Sequence, residues 1–304
     1  MNILGKRYIF FGVSLLIIVT GLIALFTGNT PLSIDFTGGS LLEVSFNNAS
    51  PQPSEIIAIY DSAALKDVQV QTTDIGSYII RSQFLDNDQR DVVLSALTEQ
   101  IGEVEVVRFD SVGPSIGEQV TSRGAIAVTV ASLLVVLFIA WSFRGVQNAF
   151  RYGICAILAM IHDVAIIFAV AGFGGLFFGW EIDSLFLTAL LTVIGFSMQD
   201  TIVVFDRIRE NSSIYRRLDF ETLVNHSIVQ TLQRSINTQL MTVEFLLLAL
   251  AMFGGVTLRE FTSILLIGLL SGTYSSIFIA APILVLWEKR EWQTWFKKPN
   301  QAQA

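Results

Sequence analysis

Asp200 is the residue best placed to do chemistry, because it lies near the end of an apolar stretch long enough to span a membrane. Residues 184–205 form 22 positions with a single charge, and a bilayer core is crossed by about 20 residues. An ionised Asp in the middle of such a helix costs roughly 2.5 to 3.5 kcal/mol, so carboxylates there usually face a bundle interior and mark an ion or proton path. The sequence predicts a proton-relay role for Asp200. A structural carboxylate, hydrogen-bonded to a neighbouring helix, is the alternative.

Other polar residues in the apolar stretches are accessory candidates for the same path. His162 and Asp163 are adjacent in the third stretch, so on a helix they point about 100° apart and are expected to serve different neighbours. Gln199 directly precedes Asp200. It shares one helical face with three small or hydroxyl residues, Thr188, Thr192 and Gly195.

Two charged residues belong to the fifth apolar stretch. Arg234 stands at its start, where the long side chain could reach water. Glu244 lies inside the stretch. It could pair across the bundle, provide a second protonatable site, or lie closer to the surface than the stretch suggests.

Composition indicates a polytopic helical membrane protein. Hydrophobic residues make up 52% of the 304 residues and charged residues 15%, with a mean hydropathy of +0.61. Lys and Arg concentrate at both termini and in the loops after the second and fourth stretches, which predicts cytoplasmic N- and C-termini. Six apolar stretches predict six transmembrane helices, at residues 8–26, 124–143, 152–180, 184–205, 235–253 and 261–287.

One long hydrophilic segment, residues 28–122, interrupts the apolar stretches. Its alternation of short β-like and helical runs predicts a βαββαβ order, an α+β ferredoxin-like extracytoplasmic domain. The expected strands are residues 40–46, 68–74, 78–84 and 104–109, and the expected helices are 54–65 and 88–100. The joins to the membrane helices contain hinge candidates, for which plain turn formation is the alternative: Gly38, Gly39, Gly113 and Pro114.

This pattern predicts four regions. Residues 1–27 are the cytoplasmic N-terminus and first helix, and residues 28–122 are the inserted domain. Residues 123–288 are the remaining five helices, with a cytoplasmic loop at 206–234, and residues 289–304 are a cytoplasmic tail.

Several function classes are disfavoured. The inserted segment holds 14 acidic against four basic residues, which argues against a nucleic-acid ligand. One Cys and two His have no metal-ligand spacing, so neither a metal nor a cofactor is predicted. The chain has no G-x-x-x-x-G-K-[ST] loop, so it is not expected to be an ATP-driven motor or another enzyme, and an ion gradient is the expected energy source.

Five sequence motifs, spread from end to end of the chain, resemble the SecF family of membrane proteins. The most specific is GFSMQDTIVVFDRIREN at residues 195–211, which is similar to the family's fourth transmembrane helix. Gln199 stands where the family usually has Asn, and Glu244 where it usually has an uncharged residue, so no role transfers to Glu244. The other four motifs are SIDFTGG at 33–39, VGPSIG at 112–117, IHD at 161–163 and GTYSSIFIA at 272–280.

The resemblance implies half of a resistance-nodulation-division (RND) architecture, one six-helix bundle with one outside domain. It implies an inner-membrane protein that works with SecD, the complementary half-bundle, beside the SecYEG channel, and that uses the proton-motive force to promote preprotein export. It also assigns Arg234, within the motif TLQRS, to a proton route with Asp200. An RND-type exporter of lipids or small molecules and a passive translocon scaffold are the alternatives. The coupling ion, proton or sodium, stays open.

Overall fold

The computed structural model describes residues 3–27, 32–47, 49–73, 76–144, 149–239 and 245–291, apart from the side chains of residues 246, 256 and 257. The chain divides into two compact units. One comprises residues 32–126, and the other comprises residues 1–31 together with 127–304.

The first unit contains a four-stranded antiparallel sheet. Its elements follow the predicted order βαββαβ, and the strand order across the sheet is β2-β3-β1-β4. The strands are β1 (Gly39–Phe46), β2 (Gln69–Thr72), β3 (Tyr78–Ser82) and β4 (Val104–Val112), and the helices are α2 (Ile34–Thr37), α3 (Pro53–Ser62) and α4 (Asn87–Gln100).

Local sequence signals explain where the two longer helices of this unit begin. Pro53 occupies the first turn of α3, where the missing N–H costs no hydrogen bond. Asp86 caps α4 by accepting a hydrogen bond from the Gln89 N–H at 2.8 Å, and the Gln89 side chain bonds back to the Asp86 N–H. The core consists of apolar residues from the sheet and both helices, including Leu42, Val44, Ile56, Tyr60, Ile80, Val93 and Leu97.

The second unit is helical. After a short 3-10 turn at Leu4–Lys6, its helices are α1 (Arg7–Thr27), α5 (Pro114–Ser142, shared with the first unit), α6 (Ala149–Phe178), α7 (Ser184–Ile214), α8 (Phe220–Gln239), α9 (Phe245–Phe253), α10 (Val256–Ser275) and α11 (Ala281–Lys289). A π-helical turn, Ser276–Ala280, joins α10 to α11. It ends two residues before Pro282, whose nitrogen cannot donate a helical hydrogen bond.

Five helical segments of the described chain are long and apolar enough to cross a membrane: Leu4–Thr27, Pro114–Ser142, Ala149–Phe178, Ser184–Ile214 and Leu258–Lys289. They correspond to five of the six predicted spans. The predicted fifth span, residues 235–253, divides between the end of α8 and α9, and residues 240–244 lie outside the described ranges. Glu244 is among those residues.

Helix α8 begins at Phe220, within the predicted loop, and continues through Arg234 to Gln239. Arg234 therefore lies inside a helix with a polar face and not at the beginning of an apolar one. The residues that α8 buries recur every three or four positions, as expected of an amphipathic helix: Leu223, Val224, Ser227, Ile228, Thr231, Ser235 and Gln239.

Small residues allow close packing between α7 and α10. A Cβ atom added to Gly272 would lie 3.0 Å from the Cα of Ser197, and one added to Gly268 would lie 2.5 Å from a methyl carbon of Val193. Gly268 and Gly272 are four residues apart and therefore form a ridge of small residues on one face of α10, which allows the close approach.

Candidate intramembrane site

Asp200 is buried in α7, with 8% of its surface exposed. The Ser235 hydroxyl, from α8, donates a hydrogen bond to its Oδ1 at 3.4 Å. Thr273 of α10 and Gln239 of α8 also lie beside the carboxylate. The other oxygen, Oδ2, is buried without a hydrogen bond from any residue in the described ranges. One long hydrogen bond and an unsatisfied oxygen are weak stabilisation for a buried negative charge.

Arg234 precedes Ser235 on α8 and is exposed. It contributes a favourable electrostatic interaction to Asp200 but forms no ion pair within 4.0 Å of it; both residues are in the described part of the chain. The structure therefore brings the two predicted relay residues near one another without direct contact.

A cavity of about 580 Å³ lies between the end of α7 and α8. Arg234 and Thr231 line it from α8, and Ile202 and Val203 line it from α7. Its mouth is charged, with two ion pairs, Arg207–Glu210 at 2.5 Å and Arg209–Asp206 at 2.6 Å. Thr231 and Arg234, two of the α8 residues that line it, lie within about one helical turn of Ser235, which donates the hydrogen bond to Asp200.

Gln199 faces away from the bundle core. It is exposed, as are Thr188 and Gly195, so the predicted polar stripe of α7 points outward. A groove of about 530 Å³ runs along this face, lined by residues of α5 and α7: Leu134, Val135, Phe138, Gly195, Met198, Gln199, Ile202 and Val203. An outward polar stripe on a membrane helix is suited to contact with another helix, because hydroxyl and amide groups gain little from lipid.

Asp163 has a different environment from Asp200, being 1% exposed and hydrogen-bonded on both oxygens. Ser271 donates to Oδ1 at 2.8 Å, Ser275 donates to Oδ2 at 2.6 Å, and Ser197 also donates to Oδ2. His162 Nδ1 lies 3.0 Å from Oδ1. We call this group of five residues the serine cluster.

His162 and Asp163 do face different neighbours, as expected, but they also contact each other. The His162 ring stacks on Tyr274, whose hydroxyl donates to the Phe10 carbonyl at 3.1 Å and accepts from Ser14 at 3.2 Å. His162 Nε2 is buried and receives no hydrogen bond within the described ranges. Sequence reasoning missed the three serines, although Ser271 and Ser275 are four residues apart and therefore share a helical face.

The hinge candidates lie close together within the unit of residues 32–126. Gly38 has φ +70°, a region that favours glycine, and an added Cβ would lie 2.8 Å from the Cα of Pro114. Gly39 has φ +125° and packs against the Ser82 carbonyl. Gly113 has open space around it. Gly38 is therefore required by a close backbone contact, and a hinge role for these residues stays a prediction.

Metal coordination has no support in the described ranges, where no group of three or more His, Cys, Asp or Glu is arranged to hold an ion. The polar groups around Asp163 and Asp200 are instead serine and threonine hydroxyls, the Gln239 amide, the His162 imidazole and the Arg234 guanidinium. This set can exchange protons and form hydrogen bonds.

Comparison with known proteins identifies the family. Residues 92–290 match the family profile "Protein export membrane protein SecD/SecF, C-terminal", and residues 23–49 match the "SecD/SecF GG Motif". The chain is 60% identical over 300 residues to the protein translocase subunit SecF of Anaerolinea thermophila, covering 98% of this chain and 97% of that one. It belongs to the SecF family.

Other members of the SecF family give the same assignment. The SecF of Thermobaculum terrenum is 44% identical, covering 100% of this chain and 99% of that protein. The crystal structure of SecDF from Thermus thermophilus, described as a translocon-associated membrane protein, superposes with a TM-score of 0.79 at 30% identity. This chain matches 39% of the SecDF chain, while 95% of this chain is covered. Membership in this family supports a role in Sec-dependent protein export and a location in the bacterial inner membrane.

Proposed function

We propose that this SecF-family chain works with SecD to couple proton entry through the membrane to preprotein export, with Asp200 as the proton-carrying group. The observation that carries the proposal is the environment of Asp200. It is a buried carboxylate with one unsatisfied oxygen, one long hydrogen bond, and a polar cavity beginning within a turn of its hydrogen-bond donor.

Protonation of Asp200 changes what α8 contacts. An ionised carboxylate accepts the Ser235 hydrogen bond and attracts Arg234, both on α8. A neutral carboxyl group weakens both interactions, so each proton taken up favours a displacement of this end of α8. One charge crossing 100 mV supplies about 2.3 kcal/mol, comparable to one or two charge-assisted hydrogen bonds.

SecD is the expected partner on the outward face of α7. A SecF-family chain corresponds to well under half of the joined SecDF chain, so a second half-bundle is required to complete that assembly. The polar stripe of α7 and the exposed Arg234 provide hydrogen-bonding groups for it. SecYEG, the preprotein and membrane lipid are the further partners of this function.

Ion pairs in the helical unit support a membrane orientation with both termini in the cytoplasm. Arg7, at the start of α1, pairs with Glu221 at 2.9 Å and with Glu291 at 2.6 Å, and Lys289 pairs with Glu221 at 2.6 Å. The Lys289 and Arg7 cations lower the pKa of Glu221. These basic groups occupy the end of the bundle that the positive-inside rule assigns to the cytoplasm.

The test is secretion of a reporter preprotein in cells depleted of their own SecF and supplied with this chain and its SecD. We expect Asp200→Asn to reduce secretion to the level of cells without the chain, at equal membrane abundance and equal co-isolation with SecD. Asp219→Asn is the matched control, because Asp219 is exposed, pairs with Lys289 at 3.4 Å and does not line the polar cavity. Normal secretion with Asp200→Asn would overturn the proton-carrying role and favour a passive scaffold. Efflux of a lipid or small molecule without any effect on secretion would favour an exporter.

A further inference from the structure

The serine cluster places every oxygen lone pair of Asp163 opposite a donor group. Three hydroxyl groups and the His162 ring nitrogen converge on its two oxygens. Each carboxylate oxygen accepts about two hydrogen bonds, so these four contacts match the acceptor capacity of the two Asp163 oxygens. Asp200 receives one hydrogen bond, at 3.4 Å from Ser235, with Thr273 and Gln239 beside it and no hydrogen bond to Oδ2 within the described ranges. The two buried carboxylates are therefore held differently.

Among the described residues, few titratable groups face Asp163. His162 is the only titratable group in contact with it within the described ranges, and α7 and α10 present hydroxyls alone. Tyr274 of α10 faces the His162 ring and not the carboxylate.

The serine cluster joins three helices next to Asp200. Asp163 belongs to α6, Ser197 to α7, and Ser271 and Ser275 to α10. Ser197 precedes Asp200 by three residues, so a hydrogen bond that fixes the rotation of α7 at Ser197 also fixes the direction of the Asp200 side chain. Ser275 is the last residue of α10 before the π-helical turn, a type of irregularity that often occurs at functional sites.

Helix α8 is attached to this group of helices differently. Its first half is bound to the end of α7 by the Asn211 amide, which donates to Ser227 at 2.8 Å and to Gln230 at 2.9 Å. Near Asp200, the hydrogen bond that α8 makes within the described ranges is the 3.4 Å contact from Ser235. The contact between Asp200 and α8 is therefore weaker than the contacts that hold α6, α7 and α10 together.

We propose that Asp163 is a positioning residue that fixes α6, α7 and α10 as one block, so that proton exchange at Asp200 displaces the end of α8. This inference rests on the proposed function of Asp200. It assigns Asp163 no role in carrying protons. Ser197 and Ser275, which share Oδ2, transmit its effect to α7 and α10.

The first experiment compares secretion and its pH dependence in Asp163→Asn, Ser275→Ala and the double variant Ser197→Ala/Ser275→Ala. An amide nitrogen in place of Oδ2 cannot accept the two serine hydrogen bonds, and misplacing a reacting group by about 1 Å can cost roughly 10²-fold. We expect Asp163→Asn and the double variant to lower export about tenfold and to shift its pH midpoint, with Ser275→Ala intermediate. Ser276→Ala is the matched control, because Ser276 is also buried but donates to the Thr273 carbonyl at 2.9 Å.

Two controls distinguish the outcomes: the membrane abundance of Asp163→Asn and the export measured with Asp200→Asn. If Asp163→Asn lowers export only in proportion to its membrane abundance, with an unchanged pH midpoint, the residue is merely structural and the inference is wrong. If Asp200→Asn exports normally in the same assay, the proposed function fails instead.

Infrared difference spectroscopy of the purified chain with its SecD provides a readout independent of export. Acidification should produce a protonated-carboxyl band that disappears in Asp200→Asn and persists in Asp163→Asn. Loss of that band in Asp163→Asn would show that Asp163 itself takes up the proton and would overturn the proposal.

Discussion

Two buried tyrosines in the α/β unit differ in one hydrogen bond. Tyr78 donates from its hydroxyl to the Pro51 carbonyl at 3.0 Å. The Tyr60 hydroxyl is fully buried, and it finds no hydrogen-bond partner among the described residues. Burial also raises the pKa of Tyr60, so its hydroxyl stays protonated. A buried polar group without a partner costs roughly 1 to 3 kcal/mol.

Removing these hydroxyls should therefore have opposite effects on stability. We expect Tyr60→Phe to raise the free energy of local unfolding by about 1 kcal/mol and Tyr78→Phe to lower it by about the same amount. Amide hydrogen exchange of β1 and β3 in the full-length protein measures both values. If Tyr60→Phe destabilises the unit as much as Tyr78→Phe does, the Tyr60 hydroxyl has a partner, such as a bound water.

At the same scale, the sequence predicted which membrane residues are polar but not what surrounds them. Asp163 and Asp200 are both single carboxylates in apolar stretches, so hydropathy treats them alike. They differ in the serines that other helices bring to them. Ser197, Ser271 and Ser275 surround Asp163, whereas Ser235 lies beside Asp200. Such contacts arise from helix rotation and register, which local sequence patterns do not contain.

At the scale of helices, the approach of α7 to α10 depends on glycine. A Cβ atom at Gly272 would meet the Ser197 backbone, whereas one at Gly195 on the outward face of α7 would have nothing within 4 Å. Close approach of this kind is a main source of helix association in membranes, where apolar burial drives little.

Adding a methyl group should affect the stability of the protein differently at Gly272 and at Gly195. We expect Gly272→Ala to destabilise the purified chain by about 1 to 3 kcal/mol, because backbone atoms must move apart. Gly195→Ala is the control and should leave stability unchanged or slightly raised, since alanine favours helix. Thermal unfolding in detergent gives the comparison. Equal stability of Gly272→Ala and the wild type would mean that α7 and α10 pack less closely than described.

The elements themselves were largely predictable, with one informative exception. Strand alternation, helix caps and long apolar runs are local signals in the sequence. The βαββαβ order and five of the six spans predicted from such signals agree with the structure. Helix α8 escaped notice as a continuous helix because polar residues such as Ser227, Thr231 and Ser235 occupy much of its buried face. Tertiary burial of Ser235 and Gln239 against the bundle, and not an apolar run, accounts for its second half.

At the scale of the whole chain, ion pairs restrict how often the helical unit can cross a membrane. Arg7 begins α1 and Lys289 ends α11, and both pair with Glu221 at the start of α8, so these three points share one end of the bundle. The Glu181 N–H, between α6 and α7, donates to Glu260 near the start of α10 at 3.0 Å. Because Arg151 at the start of α6 pairs with Glu288 in α11, Glu181 and Glu260 occupy the opposite end. We therefore predict that the chain crosses once more between Glu221 and Glu260, as a sixth passage.

This passage can be tested by labelling single cysteines with a membrane-impermeant maleimide. In a Cys155→Ala background, we expect Gly255→Cys to react in intact spheroplasts and Ser213→Cys to react only after permeabilisation, because the two exposed positions lie at opposite ends of the bundle. The reverse pattern would keep six crossings but invert the proposed orientation. Reaction of both cysteines from the same side would exclude a sixth crossing, and with it the half-bundle architecture on which pairing with SecD depends.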